Sequence, residues 1–425
     1  MTRITRRRLT HNPPITEQGL RWANDLPSEI LSIIASQSGS AARYVTLRLV
    51  CKGWGDALSM APFPPLPSPQ VPFLLVPPRG VNPTAPCPLG YAYPLPFPVP
   101  SRTAFFPLPR LQGTLGCICV GSSHGWLISL GRDSSLSLIN PVTADSISLP
   151  RLSTMDNPVL SFDKDSSPQY HLRQNGKSFS QFSIVHRSVL SSDPVQDPGF
   201  TVLLFLSGLT NCCFTWRNGS TRWNQYLHEP FLVEDVVFVK GVFAAIDRSI
   251  NLVIFDFRNL ETALMIIYQD ALFKVLPKEA FLVEAAAGDL WLVLKWVNSG
   301  DSRMHRGAIQ VFQIHMRGDV DGSREAEAIE IQSLTNYVLF VGHGSSVCVT
   351  VDQFPWLAPD TVYFTHFYTK VGKSPNIAHH GGVYKFNVSS KAAHKAFTVG
   401  QPRNLLLSYA STSVNKLKKV DNASI

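Results

Sequence analysis

Long apolar runs are missing from this chain. No stretch of its 425 residues approaches the ~18 uninterrupted apolar residues of a membrane-spanning helix, so no membrane span is expected. An apolar leader segment is missing too: the first residues are polar and rich in arginine. With no leader and an odd count of seven cysteines, free thiols in a reducing compartment are expected, the nucleus or cytoplasm. The glycosylation-type triplets at Asn218, Asn387 and Asn422 then carry no meaning. Charged residues are scarce, 16% of the chain, which fits strands with buried faces. A phosphate-cradling glycine loop, an H-E-x-x-H pair and a dinucleotide fingerprint are all lacking, so no cofactor is expected.

The net charge of +8 is confined to the ends. Residues 1–21 carry +4 and residues 401–425 carry +3, which leaves +1 for everything between. A nearly neutral body lacks a broad phosphate-binding face, so nucleic acid is not an expected partner. The two ends read as basic tails, and Arg6-Arg7-Arg8 is either part of a nuclear import signal or a solubilising segment.

What is present begins with a helix-patterned stretch over residues 22–60. Asp25 and Pro27 mark a helix start. Leu26, Ile30, Ile33 and Ile34 recur at helical spacing, and Leu47, Val50, Trp54 and Leu58 follow after a break at Gly39/Ser40. Two ordinary amphipathic helices of a larger core would share that spacing. The combination of Leu26-Pro27, Glu29, Ile30 and Ile34 with Val50-Cys51-Lys52-x-Trp54 resembles an F-box. That resemblance implies a docking handle for the Skp-type adaptor of a cullin–RING ubiquitin ligase, with Leu26, Pro27, Ile30, Ile34, Val50 and Trp54 holding the module or burying against the adaptor. Gly53 and Gly55 flank Trp54 where the family more often has serine and arginine. Glycine within a helix costs roughly 0.5–1 kcal/mol relative to alanine.

Residues 61–109 hold 17 of the 32 prolines, interleaved with aromatic and aliphatic side chains. Proline fixes φ and removes a donor, so an extended connector is expected. Its apolar content, above all Phe73–Val76, points to packing on the next domain. The alternative is a ligand for a proline-recognising module through Pro62-Phe63-Pro64-Pro65.

Short strands fill 110–400. Cys117–Val120, Trp126–Leu130, Leu136–Ile139 and Ile147–Leu149 lie within one propeller-blade length, separated by turn residues. Val202–Leu206, Cys212–Trp216, Val236–Val239, Val242–Ile246, Leu252–Phe257, Phe281–Ala285, Leu290–Trp296, Ile309–Ile314, Tyr337–Val341, Val347–Val351, Thr361–Thr365 and Val383–Phe386 continue the pattern. Residues 260–276 suit either a helix or a strand pair. The expected fold is mostly β: a small helical module, then a β-propeller-like domain, with a β-sandwich as the competitor.

Catalytic and metal chemistry finds little support. Gly121-Ser122-Ser123-His124-Gly125 matches G-x-S-x-G, but the elbow needs a helix after the serine and here a strand follows. A glycine-flanked turn is expected, and a serine hydrolase through Ser123/His124 stands as the weakest of three readings. Cys117 and Cys119 are one residue apart with no second pair, Cys212 and Cys213 point to opposite faces of a strand, and His379-His380 sits in a glycine-rich loop. No metal site and no catalytic residue is expected.

A second resemblance spans roughly 22–390. It rests on Gly121–Leu127, Leu138–Thr143 with Leu149-Pro150, Glu234–Phe238 with Lys240–Asp247, Leu282–Glu284 with Gly288–Val293, and Phe340–His343 with Phe354-Pro355 and Val362–Phe364. In this order they look like a plant family of F-box proteins with a C-terminal KIB-type propeller-like domain. The resemblance implies a non-catalytic substrate-recognition adaptor of an SCF-type ubiquitin ligase, its target held on propeller loops. The alternative is a stand-alone binding or inhibitory propeller that no longer recruits the ligase.

Overall fold

The computed structural model describes residues 26–37, 44, 47, 48, 50–60, 73–76, 91–94, 106, 107 and 406–408. It also describes 118–399 except 132, 144, 156–159, 164–168, 173–177, 181–183, 210, 211, 228, 229, 248, 258–260, 269–276, 278, 286, 287, 297–308, 317–324, 343 and 370–378. Asp25, the Gly39/Ser40 break, Pro62–Pro65, Cys117 and both basic ends, apart from 406–408, therefore lie outside the described residues. Two compact units result, Met1–Leu66 and Pro67–Ile425.

The first unit holds helices α1 (Ser28–Ser36) and α2 (Lys52–Met60), which pack together. Pro27 is the N-cap of α1, its φ of −58° fixed by the ring, and its carbonyl accepts the Leu31 N–H at 3.0 Å.

The second unit is a β-propeller in which five blades follow one another along the chain. Blade 1 is Ile118–Ser123, Trp126–Leu130, Leu136–Ile139 and Ser146–Leu149. Blade 2 is Val185–Leu190, Thr201–Leu206, Cys212–Arg217 and Asn224–Leu227. Blade 3 is Val233–Val239, Val242–Asp247, Asn251–Asp256 and Glu261–Tyr268. Blade 4 is Glu279–Glu284, Leu290–Lys295, Ile309–Met316 and Glu325–Glu330. These four are antiparallel meanders, and the first strands of successive blades lie side by side. The outer strands of blades 3 and 4 also pair in parallel, Ile266 with Glu325, so the two blades form one eight-stranded sheet. Blade 5 has five strands in the order Val347–Thr350, Tyr337–Val341, Thr361–Thr369, His379–Asn387 and Ala392–Val399. A three-stranded sheet, Leu160–Asp163, Gln169–Leu172 and Ser178–Ser180, follows blade 1 in the chain. One more four-stranded sheet joins Leu406–Ser408 to Phe73–Val76, Tyr91–Pro94 and Phe106–Pro107.

The core is divided between blade pairs. Trp126, Ile128, Leu130 and Leu138 of blade 1 meet Val202, Leu204, Phe214 and Trp216 of blade 2. Phe205 and Cys213 on the opposite face of blade 2 meet Phe243 and Phe255 of blade 3. Ile246 and Leu252 meet Leu292 and Phe312 of blade 4. Trp291 and Val293 then meet Val362, Phe364 and Phe386 of blade 5. Side chains alternate across each strand, so every inner blade contributes to two cores.

Tight hairpins begin two blades. His124 (φ 49°) with Gly125 (φ 82°), and Lys240 (φ 47°) with Gly241 (φ 87°), both have two successive positive φ values, as a type I′ turn requires. The Asn140 side chain accepts the N–H groups of Val142 and Thr143 and sets the predicted Asn-Pro turn. Two local expectations are corrected. His379 and His380 lie in a strand paired with Thr369 and Tyr368, because the long hairpin of blade 5 extends through the glycines. Residues 261–268 form a strand that completes blade 3, in place of a helix there, and 269–276 lie outside the described residues.

Candidate functional site

The helical unit places its apolar residues on two opposite sides. Leu31 and Ala35 of α1, each 1% exposed, are one turn apart and pack inward. Trp54 and Leu58 of α2 have the same spacing and are also buried. Tyr44 completes this small core, donating from Oη to the Leu58 carbonyl at 2.8 Å. The Cys51 Sγ accepts the Trp54 N–H at 3.5 Å, at the start of α2.

On the outer side Ile30 (44% exposed), Ile33 (57%) and Ile34 (40%) share the other face of α1, and Val50 (40%) is exposed just before α2. The isoleucine stripe that the spacing marks as an apolar helix face is thus not the face that builds the module. The six residues singled out in the sequence divide accordingly. Trp54 is internal, Leu26 half-buried, and Pro27, Ile30, Ile34 and Val50 lie at the surface. Leu31, Ala35 and Tyr44, which hold the module together, escaped the sequence reading, although Leu31 and Ala35 follow from their i, i+4 spacing.

The propeller is stitched around its inner strands by polar groups. The first strands of blades 1, 2 and 3 carry bulges at Val120, His186 and Glu234. The Ser188 hydroxyl donates to the Val120 carbonyl at 3.0 Å. His186 Nε2 donates to the Val233 carbonyl, and Arg187 Nε to that of Glu234, both at 2.6 Å. A bulge takes a carbonyl out of the ladder, and a side chain of the neighbouring blade satisfies it. The Asp235 carboxylate lies 3.8 Å from Arg187 Nε and accepts the Leu282 N–H at 2.9 Å, so it ties blades 2, 3 and 4 together. Burial pushes its pKa up to about 6, against the opposing pull of Arg187 and of the Leu282 and Val236 amides.

At the G-x-S-x-G stretch the geometry is that of a hairpin. Ser123 ends one strand, Trp126 begins the next, and the Ser123 hydroxyl donates to the Leu190 carbonyl at 3.4 Å. Burial pushes the His124 imidazole down, while Asp193 opposes the shift. Asp193 accepts the Trp126 indole N–H at 3.1 Å and the Val195 N–H at 3.0 Å, which pins the long loop of blade 2 to blade 1. Cys212 and Cys213 face different blade cores, as strand alternation predicts.

The model of the KIB1-4 beta-propeller family matches residues 94–386, more than half of the chain. The chain belongs to the KIB1-4 β-propeller family. Most stretches that carry the resemblance are the opening strands of blades 1, 3, 4 and 5, whose side chains fill the cores between blades. An Arabidopsis thaliana protein whose name describes it as an F-box protein is 22% identical over 289 residues, 67% of this KIB1-4 chain and 72% of the relative. Among solved structures, a nidogen/laminin complex matches with a TM-score of 0.37 and 10% identity, over 80% of this chain and 100% of that one. A Saccharomyces cerevisiae assembly of Dbp5 with Nup159 and Gle1 matches at 0.28 and 10%, over 70% of this chain and 63% of that one. Scores of that size add nothing to a fold already given by the family and the strand order.

Proposed function

We propose that this protein is a substrate-recognition adaptor of an SCF-type ubiquitin ligase. In this reading the helical module docks on a Skp-type adaptor and, through it, on the cullin–RING ligase, while the propeller holds a target protein. The observation that carries it is the outward stripe of Ile30, Ile33 and Ile34, with Val50 also exposed, on a module that already has its own core. An exposed apolar helix face suits helix-in-groove burial. The F-box name of the Arabidopsis relative supports the same partner. A propeller offers rigidly held loops for a protein target. The thioester chemistry lies with the ligase's partner enzymes, so the chain acts by bringing target and ubiquitin donor together and has no catalytic group of its own. Its place of action is the nucleus or the cytosol.

The test is a binding titration of the full chain with a Skp-type adaptor, beside Ile30→Asp/Ile34→Asp. Both positions are exposed, so the double variant stays folded. Sub-micromolar binding by the parent and loss of at least about tenfold in the variant is the expected result, since burying half an isoleucine is worth roughly 1 kcal/mol and burying a carboxylate costs more. A folded parent that does not bind at micromolar concentration leaves the stand-alone propeller as the account.

A further inference from the structure

The first strands of blades 1 to 4 start at the end of the propeller where successive blades are joined and finish at their first hairpins. In blade 5 the strand beside the first strand of blade 4 is Val347–Thr350, and it runs the opposite way. Ser345, just before it, shares a hydrogen bond of 3.3 Å with Ser122, near the finish of the first strand of blade 1. The loop after it, residues 351–360, therefore lies at the joining end. That loop is firmly built. Phe354 and Leu357 are buried, and their N–H groups donate to the Thr350 and Phe354 carbonyls. The Asp360 carboxylate accepts the N–H groups of Leu334 and Ser389 at 2.7 and 2.9 Å. On this base Trp356 stands 63% exposed, the most exposed large apolar side chain among the described residues. Its ring meets the Phe354 ring edge-on, with centroids 5.5 Å apart. The exposed neighbours Pro355, Ala358 and Pro359 are too short to cover it.

We infer that Trp356 anchors a docking surface for a basic segment of the target protein, with an arginine or lysine side chain laid over the indole. Charge argues for that occupant. From 325 to 369 the chain has five acidic residues and no lysine or arginine, in a protein of net charge +8. Glu330 is answered by Lys391 at 3.6 Å, and Asp360 by backbone N–H groups. Asp352 stays exposed on the Trp356 loop, where it accepts a hydrogen bond from the Asn336 side-chain amide. An electron-rich ring on the same loop as an exposed carboxylate attracts a cation. An acidic segment or a phosphate backbone would meet repulsion there. An aromatic ring on a firmly held loop also loses little freedom on binding, which suits an interface anchor. This inference rests on the reading of the propeller as the holder of the target, and not on what the helical module binds.

The test is a selection of displayed random peptides on the immobilised full chain, keeping those that bind the parent and not Trp356→Ala. The kept peptides are expected to carry arginine or lysine next to an apolar residue. Synthetic copies should lose at least about tenfold in affinity on Trp356→Ala and on Trp356→Arg, which keeps a long side chain but repels a cation. Asp352→Asn should weaken them by no more than about fivefold, and added salt should act in the same direction. Both positions are exposed, so the variants keep the parent's thermal midpoint, and Trp356→Ala keeps the parent's affinity for a Skp-type adaptor. Kept peptides that are neutral or acidic overturn the proposal, as does a selection in which no peptide depends on Trp356. Either result with adaptor binding intact strikes this surface alone, whereas a parent that binds no adaptor strikes the ligase reading.

Discussion

The helical module and the propeller place their apolar residues in opposite ways. In the propeller both faces of the inner strands are consumed by neighbouring blades, so Trp126, Phe214, Phe255, Phe312 and Phe364 are all fully buried. In the module Leu31, Ala35, Tyr44, Trp54 and Leu58 make a small core, and Ile30, Ile33 and Ile34 point outward. A residue's size therefore tells where it is needed only once its neighbours are known. In the blades bulk is buried between strands, and in the module part of it stays at the surface.

The sharpest way to break that contrast is to truncate one residue of each kind. Trp126→Ala empties a site between blades 1 and 2 and removes one donor, the indole N–H, from the Asp193 carboxylate. A loss of about 3–5 kcal/mol is expected for removing a buried tryptophan, a large share of the stability of an ordinary domain. Chemical unfolding monitored by circular dichroism reads it directly. A loss below 1 kcal/mol would mean that the blade interface is not a packed core.

Next in size is the buried carboxylate at the inner strands. Asp235 has its pKa raised from 3.8 to about 6 by burial. Between those values the native state holds a proton that the unfolded chain has released, so this group's contribution favours folding at pH 4 and declines as pH rises through 6. The full swing is of the order of 3 kcal/mol. Asp235→Asn, which keeps an acceptor for Leu282 N–H, is expected to flatten the stability profile between pH 4 and pH 6.5. An unchanged slope in urea titrations across that range would place the carboxylate in a more solvated setting than the structure gives it.

These sites also mark what could be read in advance. Trp126–Leu130, Leu136–Ile139 and Tyr337–Val341 are legible to the residue, because a hairpin turn or an Asn-Pro turn bounds apolar β-formers. Val185–Leu190 is not, since His186, Arg187 and Ser188 interrupt it, and those are the residues that reach across to bulge carbonyls on the neighbouring blades. Glu325–Glu330 escapes for a related reason: its alternating acids suit an outer strand only once Phe312–Met316 lies beside it. The helical stripe is legible as a stripe, but periodicity cannot tell an inward face from an outward one.

A smaller effect is expected from the surface stripe itself. Ile30→Asp/Ile34→Asp changes two half-exposed positions outside the small core, so unfolding free energy should change by no more than about 1 kcal/mol while the proposed adaptor binding is lost. A drop of several kcal/mol in the same variant would show that the stripe is covered within the chain, and the contrast between the two regions would disappear.

The finest distinction lies between the two glycines beside Trp54. Both sit inside α2, yet they meet different surroundings. A Cβ on Gly53 would have Cys51 Sγ at 3.9 Å as its nearest neighbour, which is ordinary contact. On Gly55 it would lie 3.0 Å from the Arg48 carbonyl oxygen, a backbone atom that must move to admit it. Gly53→Ala is therefore expected to stabilise the module by about 0.5–1 kcal/mol through helix propensity and a less flexible unfolded chain. Gly55→Ala should forfeit that gain or reverse it, because α2 would be pushed from the turn before it and Trp54 would be carried with it. Thermal melts of the two single variants separate these cases. Equal gains at both positions would mean that the close approach at Arg48 relaxes without strain, and the second glycine would then be a simple propensity defect like the first.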